Sequence, residues 1–262
     1  MDLGLSGKAV LVTGGSAGIG AAIVQVLLEE GALPLILDRQ APDAATQAAL
    51  QAASPGGRSW ALALDDESAL LQAATEVRHH LQEQGLALAG LVHNAGGNDS
   101  IGLDAPTAAW RGSLERNLLH TMVLTRELRG PLREARGAIV NIASKTAVTG
   151  QGDTSGYVAA KGALLALTRE WAVTLRDDGI RVNAIVPAEV WTGSYARWLQ
   201  TFDDPEARRA AIERRIPLQR RMTLPREIAD SVVFTLSPRA GHTTGQWLFV
   251  DGGYTHLDRA LD

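Results

Sequence analysis

The sequence predicts an α/β fold, a doubly wound parallel sheet with helices on both faces. Three observations carry this expectation. Short apolar runs alternate with longer helical stretches along all 262 residues. The runs lack clean period-two alternation, as strands buried on both faces do. No internal repeat, low-complexity linker or composition break divides the chain, so one domain spanning 1–262 is expected.

Seven runs read as strands: "KAVLVTG" (8–14), "LPLILD" (33–38), "SWALALD" (59–65), "LAGLVHNAG" (88–96), "GAIVNIAS" (137–144), "IRVNAIVP" (180–187) and "QWLFVDG" (246–252). Helices are expected over 18–30, 67–84, 107–134, 157–177, 205–215 and 225–236. The stretch 188–225 breaks the alternation and is too long for a simple connection. It holds Trp191, Tyr195, Trp198 and Phe202 and reads as a substrate-loop insertion.

Composition narrows the class. Hydrophobic residues make up 45% and charged residues 21%, which suits a globular chain with a sizeable core. A net charge of −4 argues against nucleic acid as a partner. The arginine pairs at 208–209, 214–215 and 220–221 read as a solvated face beside "DDPEA", with offsetting charges. No apolar run approaches a membrane span. Without cysteine, disulfides, thiolate metal sites and cysteine nucleophiles are excluded, and no metal site is expected. The N-terminal stretch lacks the marks of a signal peptide, so a cytoplasmic location is expected.

The first strand runs into "TGGSAGIG" (13–20) and then a helix. Gly14, Gly18 and Gly20 sit where a turn must be tight and the backbone close to a ligand. The helix start offers unsatisfied N–H groups to an anion such as a pyrophosphate. Taken alone, such a turn also serves without a ligand. The second strand ends in Asp38, near the offset for an acid that binds adenosine ribose hydroxyls. A carboxylate there repels a 2′-phosphate, which favours NAD. The Arg39 guanidinium could reach such a phosphate, which keeps NADP open. The third strand ends in Asp65-Asp66. Either could cap the next helix, and Asp65 could touch an adenine edge.

A second pattern begins "YVAAK" (157–161). Only three lysines stand among 25 basic residues, yet one lies four positions after one of only three tyrosines. Residues four apart share a helix face, so Tyr157 and Lys161 point the same way. The ammonium is expected to favour the phenolate and lower the Tyr157 pKa, suiting proton exchange with a substrate hydroxyl. The remainder of this helix is apolar nearly all round, so Lys161 needs a reason and the helix needs cover, which a partner subunit would supply. Ser144 closes the fifth strand and Asn94-Ala95-Gly96 the fourth. In an open parallel sheet, ligands bind beyond those carboxyl ends.

Together these motifs resemble the short-chain dehydrogenase/reductases in their single-domain form. "TGGSAGIG" matches the family's Thr-Gly-x-x-x-Gly-x-Gly. "HNAG" (93–96) matches its Asn-Asn-Ala-Gly, with His93 replacing the first Asn. "RNL" (116–118) holds its helix asparagine. Ser144 lies 13 residues before Tyr157. "VNAIVPAEVWT" (182–192) and "VDGG" (250–253) complete the order. The resemblance covers essentially the whole length. It implies a Rossmann-type seven-stranded sheet, NAD (or NADP) as cofactor, and a homotetramer.

By position it also implies roles. Tyr157 would be the general acid/base, and Ser144 would hydrogen-bond the reacting oxygen. Lys161 would lower the Tyr157 pKa and hold the nicotinamide ribose. Asn117 would anchor a water linking Lys161 to solvent. Cofactor contacts would come from Gly14, Ser16, Gly18, Ile19, Gly20, Asp38, Arg39, Asp65, Asn94, Ala95, Gly96, Tyr157, Lys161, Pro187, Val190 and Thr192. Ala188 stands where the family usually has glycine, and it tightens the backbone's approach to the nicotinamide. Glu189 then places a carboxylate beside that pocket.

The substrate would meet Asn98, Ser144, Lys145, Gln151, Tyr157, Glu189, Trp191 and Trp198. Carboxylate, amide and ammonium groups beside indoles suit a sugar. Each Trp could equally pack the insertion, and Lys145 could be a strand-end surface lysine. "PAEVWT" (187–192), "FDDPEA" (202–207), "HTTGQWLFVDGG" (242–253) and the tail "YTHLDRAL" (254–261) resemble the family's aldose dehydrogenases, those similar to L-fucose dehydrogenase. This implies oxidation of an aldose at its anomeric carbon to a lactone. The alternative is a hydroxysteroid or 3-oxoacyl reductase. A redox sensor without turnover is disfavoured by the complete Asn–Ser–Tyr–Lys set. The tail 254–262 could reach a neighbour's pocket.

Overall fold

Strand β1 (Ala9–Thr13) is buried at every residue and lies third in a seven-stranded sheet. Around it lie β2 (Leu33–Asp38), β3 (Arg58–Ala61), β4 (Leu88–His93), β5 (Ala138–Ile142), β6 (Arg181–Pro187) and β7 (Trp247–Val250). The order is β3–β2–β1–β4–β5–β6–β7, and every pairing is parallel. β4 and β5 are also buried along their whole length, which explains the missing alternation. The chain's progress across the sheet reverses between β1 and β4. That switch point opens a crevice at the carboxyl edge. The computed structural model describes residues 1–53 and 56–257.

The helices are α1 (Gly18–Glu29), α2 (Ala44–Ala52), α3 (Glu67–Glu83), α4 (Thr107–Leu114), α5 (His120–Ala135), α6 (Thr146–Thr149), α7 (Ser155–Thr174), α8 (Gly193–Leu199), α9 (Pro205–Glu213) and α10 (Pro225–Leu236). Val10 and Val12 of β1 face α1 and α10, packing with Ile23, Ile228 and Val232. Leu11, between them, faces the opposite layer, where α3 and α5 supply Leu70, Val77, Leu124 and Leu128. One period-two strand thus serves two cores.

Several boundaries differ from the expectation. The third strand stops at Ala61 instead of reaching Asp65. Asp66 caps α3, accepting from Ala69 N at 3.1 Å, so the residues before it turn. The stretch 107–134 is interrupted, because a π-turn over Glu115–Leu119 separates α4 from α5. Three helices were not expected, the one-turn α6 among them. α2 buries only Leu50, so its sequence carries little helical periodicity. α8 lies inside the insertion and buries only Leu199. The last residues of the tail, 258–262, fall outside the described residues. Among the described residues no helix is long and apolar enough to cross a membrane, and no cluster of three or more His, Asp or Glu could hold a metal.

Candidate active site

At the switch point, the Thr13 hydroxyl accepts from the backbone N–H of Asn94 (3.0 Å) and of Ala95 (3.1 Å). Asn94 Nδ2 donates back to the carbonyls of Thr13 (3.0 Å) and Gly14 (2.9 Å). These bonds fasten the end of β1 to the end of β4. The glycines have steric reasons. Gly14 and Gly18 adopt φ of +66° and +56°. A Cβ on Gly20 would stand 1.9 Å from the Gly14 carbonyl oxygen. Ala17 caps α1 without a side-chain bond, leaving the helix's first N–H groups to an outside acceptor.

Asp38 closes this cradle. Its Oδ2 accepts from Ser16 N at 2.9 Å and its Oδ1 from Gln40 N at 3.2 Å. Ser16 Oγ donates to the Gln40 carbonyl at 2.7 Å. Ile19 packs on the core below, while Arg39 and Asp65 are exposed at the same edge. Beyond β6, Val190 is buried, and Thr192 Cγ2 comes within 3.6 Å of where a Gly18 Cβ would lie. The cradle, the open helix start and the carboxylate fit a dinucleotide: pyrophosphate on α1, ribose hydroxyls on Asp38.

Ser144 lies just past β5, facing the first turns of α7. Its hydroxyl accepts from Thr146 Oγ1 at 2.9 Å and lies on the side of the Tyr157 phenol, whose pKa it draws down. Lys161 is buried, and its Nζ donates to the Ile142 carbonyl at 2.7 Å. Burial brings its pKa from 10.5 down to about 8.

The Tyr157 pKa moves opposite to the expectation. Burial raises it first, the Ser144 hydroxyl works against that rise, and the Asp99 carboxylate adds to it. Lys161 does not offset this, because its ammonium is turned to the Ile142 carbonyl, 5.8 Å from the centre of the tyrosine ring. At neutral pH the phenol therefore keeps its proton. Asn117 sits on the π-turn, a feature common at functional sites. Its Oδ1 accepts from Gly97 N at 2.8 Å and its Nδ2 donates to the Ser113 carbonyl at 3.0 Å. A Cβ on Gly96 would lie 2.6 Å from that Oδ1. Asn117 thus binds the loop after β4 to the π-turn.

Lys145 is not a surface lysine. It is buried, with Nζ 3.0 Å from Glu189 Oε1 and 4.5 Å over the Tyr254 ring. The Tyr195 hydroxyl donates to Glu189 Oε2 at 2.7 Å. Burial, then the carboxylate, push that phenol's pKa far up. The two indoles pack the insertion. Trp198 meets Tyr195 and Phe202 edge-on at 5.2 and 4.9 Å, and Arg209 lies 4.1 Å over Trp191. The expected solvated arginine face is largely kept: Arg208, Arg209, Arg214, Arg215 and Arg220 are exposed, and Arg221 is half-buried and paired with Glu227.

Asn98 turns its Oδ1 back to Ser100 N, and Gln151 is exposed. Among the described residues neither hydrogen-bonds the reactive centre. Sequence reasoning missed Asp99, Tyr195 and Tyr254 as site residues. Asp99 pairs through Oδ2 with Arg116 at 2.7 Å, while its Oδ1 is buried without a partner. Its place directly after Asn98, in the loop that closes β4, was the signal available.

A glycine cradle at the switch point, with a serine, tyrosine and lysine gathered beside it, defines a nicotinamide-dependent dehydrogenase or reductase. The chain belongs to the short-chain dehydrogenase/reductase family, whose members use NAD or NADP. A family model described as enoyl-(acyl carrier protein) reductase matches residues 14–255. The L-fucose dehydrogenase of Bos taurus is 36% identical over 250 residues, covering 95% of this chain and 89% of that protein. The 2-(S)-hydroxypropyl-CoM dehydrogenase 3 of Xanthobacter autotrophicus is 36% identical over 262 residues, covering 97% and 98%. Among solved structures, the Cj0485 dehydrogenase matches with a TM-score of 0.94 at 41% identity, covering 100% of this chain and 99% of that one.

Proposed function

We propose that this oxidoreductase removes hydride from the anomeric carbon of an aldose of the L-fucose kind, giving a lactone, with NAD as acceptor. The observation that carries the reading is the Lys145–Glu189–Tyr195 network beside Ser144. A paired carboxylate and ammonium match the many donors and acceptors of a sugar. An acyl chain would desolvate these groups and return no hydrogen bond. The similarity to L-fucose dehydrogenase supports the same substrate class.

Bound at the switch point, the nicotinamide would take up the hydride. The chain does the rest. Ser144 holds the substrate oxygen and Tyr157 takes its proton. Lys161 holds the ribose and passes the proton on. Gly14, Ser16, Gly18, Ile19 and Gly20 hold the pyrophosphate, Asp38 the adenosine ribose and Asp65 the adenine edge. Asn94, Ala95, Gly96, Pro187, Val190 and Thr192 border the nicotinamide. Asn117 keeps the loop after β4 in place.

A second reading is carbonyl reduction of a 3-oxoacyl or steroid substrate. The proton held by Tyr157 favours it, as does the description of the matching family model. Leu119, Met122 and Val173 stay 45%, 45% and 59% exposed on α5, its π-turn and α7. Such apolar surface supports assembly into a homotetramer.

Purified protein with NAD or NADP and a panel of L-fucose, L-galactose, D-arabinose and L-rhamnose tests the first reading. Reduced-cofactor absorbance is expected with L-fucose or D-arabinose. Silence across the panel, with turnover of a 3-oxoacyl thioester, would replace the first reading with the second. Light scattering on the same sample reads the assembly.

A further inference from the structure

The loop after β4 runs from the π-turn to the start of α7. Gly97 N donates to Asn117 Oδ1 at 2.8 Å, and the Ile101 carbonyl accepts from Gly156 N at 3.0 Å. Gly156 directly precedes Tyr157. Between these two ties stand Asn98, Asp99 and Ser100. Ser100 adopts φ of +54°, a costly conformation for a residue with a Cβ, and its N–H donates to Asn98 Oδ1 at 3.0 Å. The loop thus holds a strained turn with Asp99 at its centre.

Asp99 has no part in the reaction scheme above. Arg116, next to Asn117 on the π-turn, donates from Nη2 to its Oδ2 at 2.7 Å. Its Oδ1 is buried without a hydrogen-bond partner among the described residues. The carboxylate side chain is 15% exposed and the guanidinium 43%, so water screens the positive end more than the negative one. A half-satisfied carboxylate in low dielectric acts on its surroundings over several ångströms. The Tyr157 phenol lies within that reach, and the charge opposes its ionisation. The other groups around the phenol leave this effect standing. Ser144 faces it from the end of β5 and favours ionisation. Lys161, one turn further along α7, spends its ammonium on the Ile142 carbonyl. Lys145 and Glu189, beyond β5 and β6, neutralise each other at 3.0 Å. Asp153, beside Gly102 of the same loop, is exposed.

We propose that the Asp99–Arg116 pair is a positioning device for Tyr157: the buried carboxylate holds the proton on the phenol, and the guanidinium limits how strongly it does so. The inference rests on the reading of Tyr157 as the general acid/base. Asp99 and Arg116 act through the phenol and do not touch the reacting atoms. Removing one member at a time should therefore move Tyr157 in opposite directions, which a pair that merely fastens the loop would not do.

Ultraviolet difference titration of the phenolate reads this directly, with Tyr157→Phe subtracting Tyr195 and Tyr254. Asp99→Asn keeps the shape and loses the charge, so the Tyr157 phenolate should appear at lower pH than in the wild type. Arg116→Gln leaves the carboxylate unopposed, so the phenolate should appear at higher pH. Arg116→Lys keeps the charge and should restore the wild-type position. The alkaline rise of kcat/KM for oxidation should follow. At one pH on that rise, Asp99→Asn should be about twofold faster and Arg116→Gln about twofold slower. Shifts of the same sign, or a titration that stays in place while every variant slows, overturn the proposal. If Asp99→Asn does not fold, the two Arg116 variants decide it by the same titration. A wild type inactive on both sugars and carbonyl substrates defeats the functional reading instead, and the phenolate titration still decides this one.

Discussion

The cofactor side and the substrate side of the crevice are built from different materials. Around β1, the glycine turn and β4, nearly every tie ends on a backbone group: Thr13 to two N–H groups, Asn94 to two carbonyls, Asp38 to two N–H groups. Around Glu189 and the insertion, the ties run from side chain to side chain, as an ion pair, a phenol on a carboxylate and rings edge to edge. Backbone ties hold one geometry whatever stands nearby. Side-chain ties change with each substitution. That difference lets one scaffold keep a dinucleotide site while its substrate changes.

Tyr157 belongs to both sides, and the largest effect is expected there. Tyr157→Phe should lose turnover by ~10²–10⁴, the range of positioned acid–base catalysis, while cofactor affinity by fluorescence titration stays put. Retained turnover would remove Tyr157 from its assigned role. The sign of the pH dependence follows from burial and Asp99, which raise the phenol's pKa. Its base form is scarce at neutral pH, so oxidation should accelerate as pH rises through the alkaline range. Reduction, which needs the phenol protonated, should not.

A smaller effect separates the two sides. Glu189→Gln leaves the Lys145 ammonium buried without its counter-charge and Tyr195 with a neutral acceptor. A loss of about 2 kcal/mol in stability is expected, below the full cost of orphaning a buried ion because the amide still accepts. KM for the substrate should rise, and cofactor affinity should not change. If cofactor affinity falls as much as substrate affinity, the two sides are coupled and the comparison fails.

The same contrast explains what the sequence revealed. Gly14, Gly18 and Gly20 were legible because a backbone demand is written as glycine at fixed spacing. Tyr157 and Lys161 were legible because one helix turn joins them. The pairing of Lys145 with Glu189 was not: Glu189 comes from beyond β6, and only the pairing of β5 with β6 brings the two together. The direction of the Tyr157 shift was hidden for a related reason. It depends on how deeply the phenol is buried and on Asp99, from a loop distant in sequence. The π-turn at Asn117 left no mark in a stretch that otherwise reads as one helix.

The smallest effect concerns cofactor choice and tests the cofactor side alone. Asp38 serves two ends: it accepts from Ser16 N and Gln40 N, and its charge faces the place of a 2′-phosphate. Asp38→Asn removes the charge while keeping the shape and one acceptor oxygen. With Arg39 exposed beside it, the ratio of kcat/KM for NAD over NADP should fall about tenfold, an exposed-charge effect of modest size. Substrate KM should stay unchanged, since no side-chain tie reaches Glu189 from here. If the ratio does not move, Asp38 serves only the turn, and the choice of dinucleotide rests on backbone shape rather than charge.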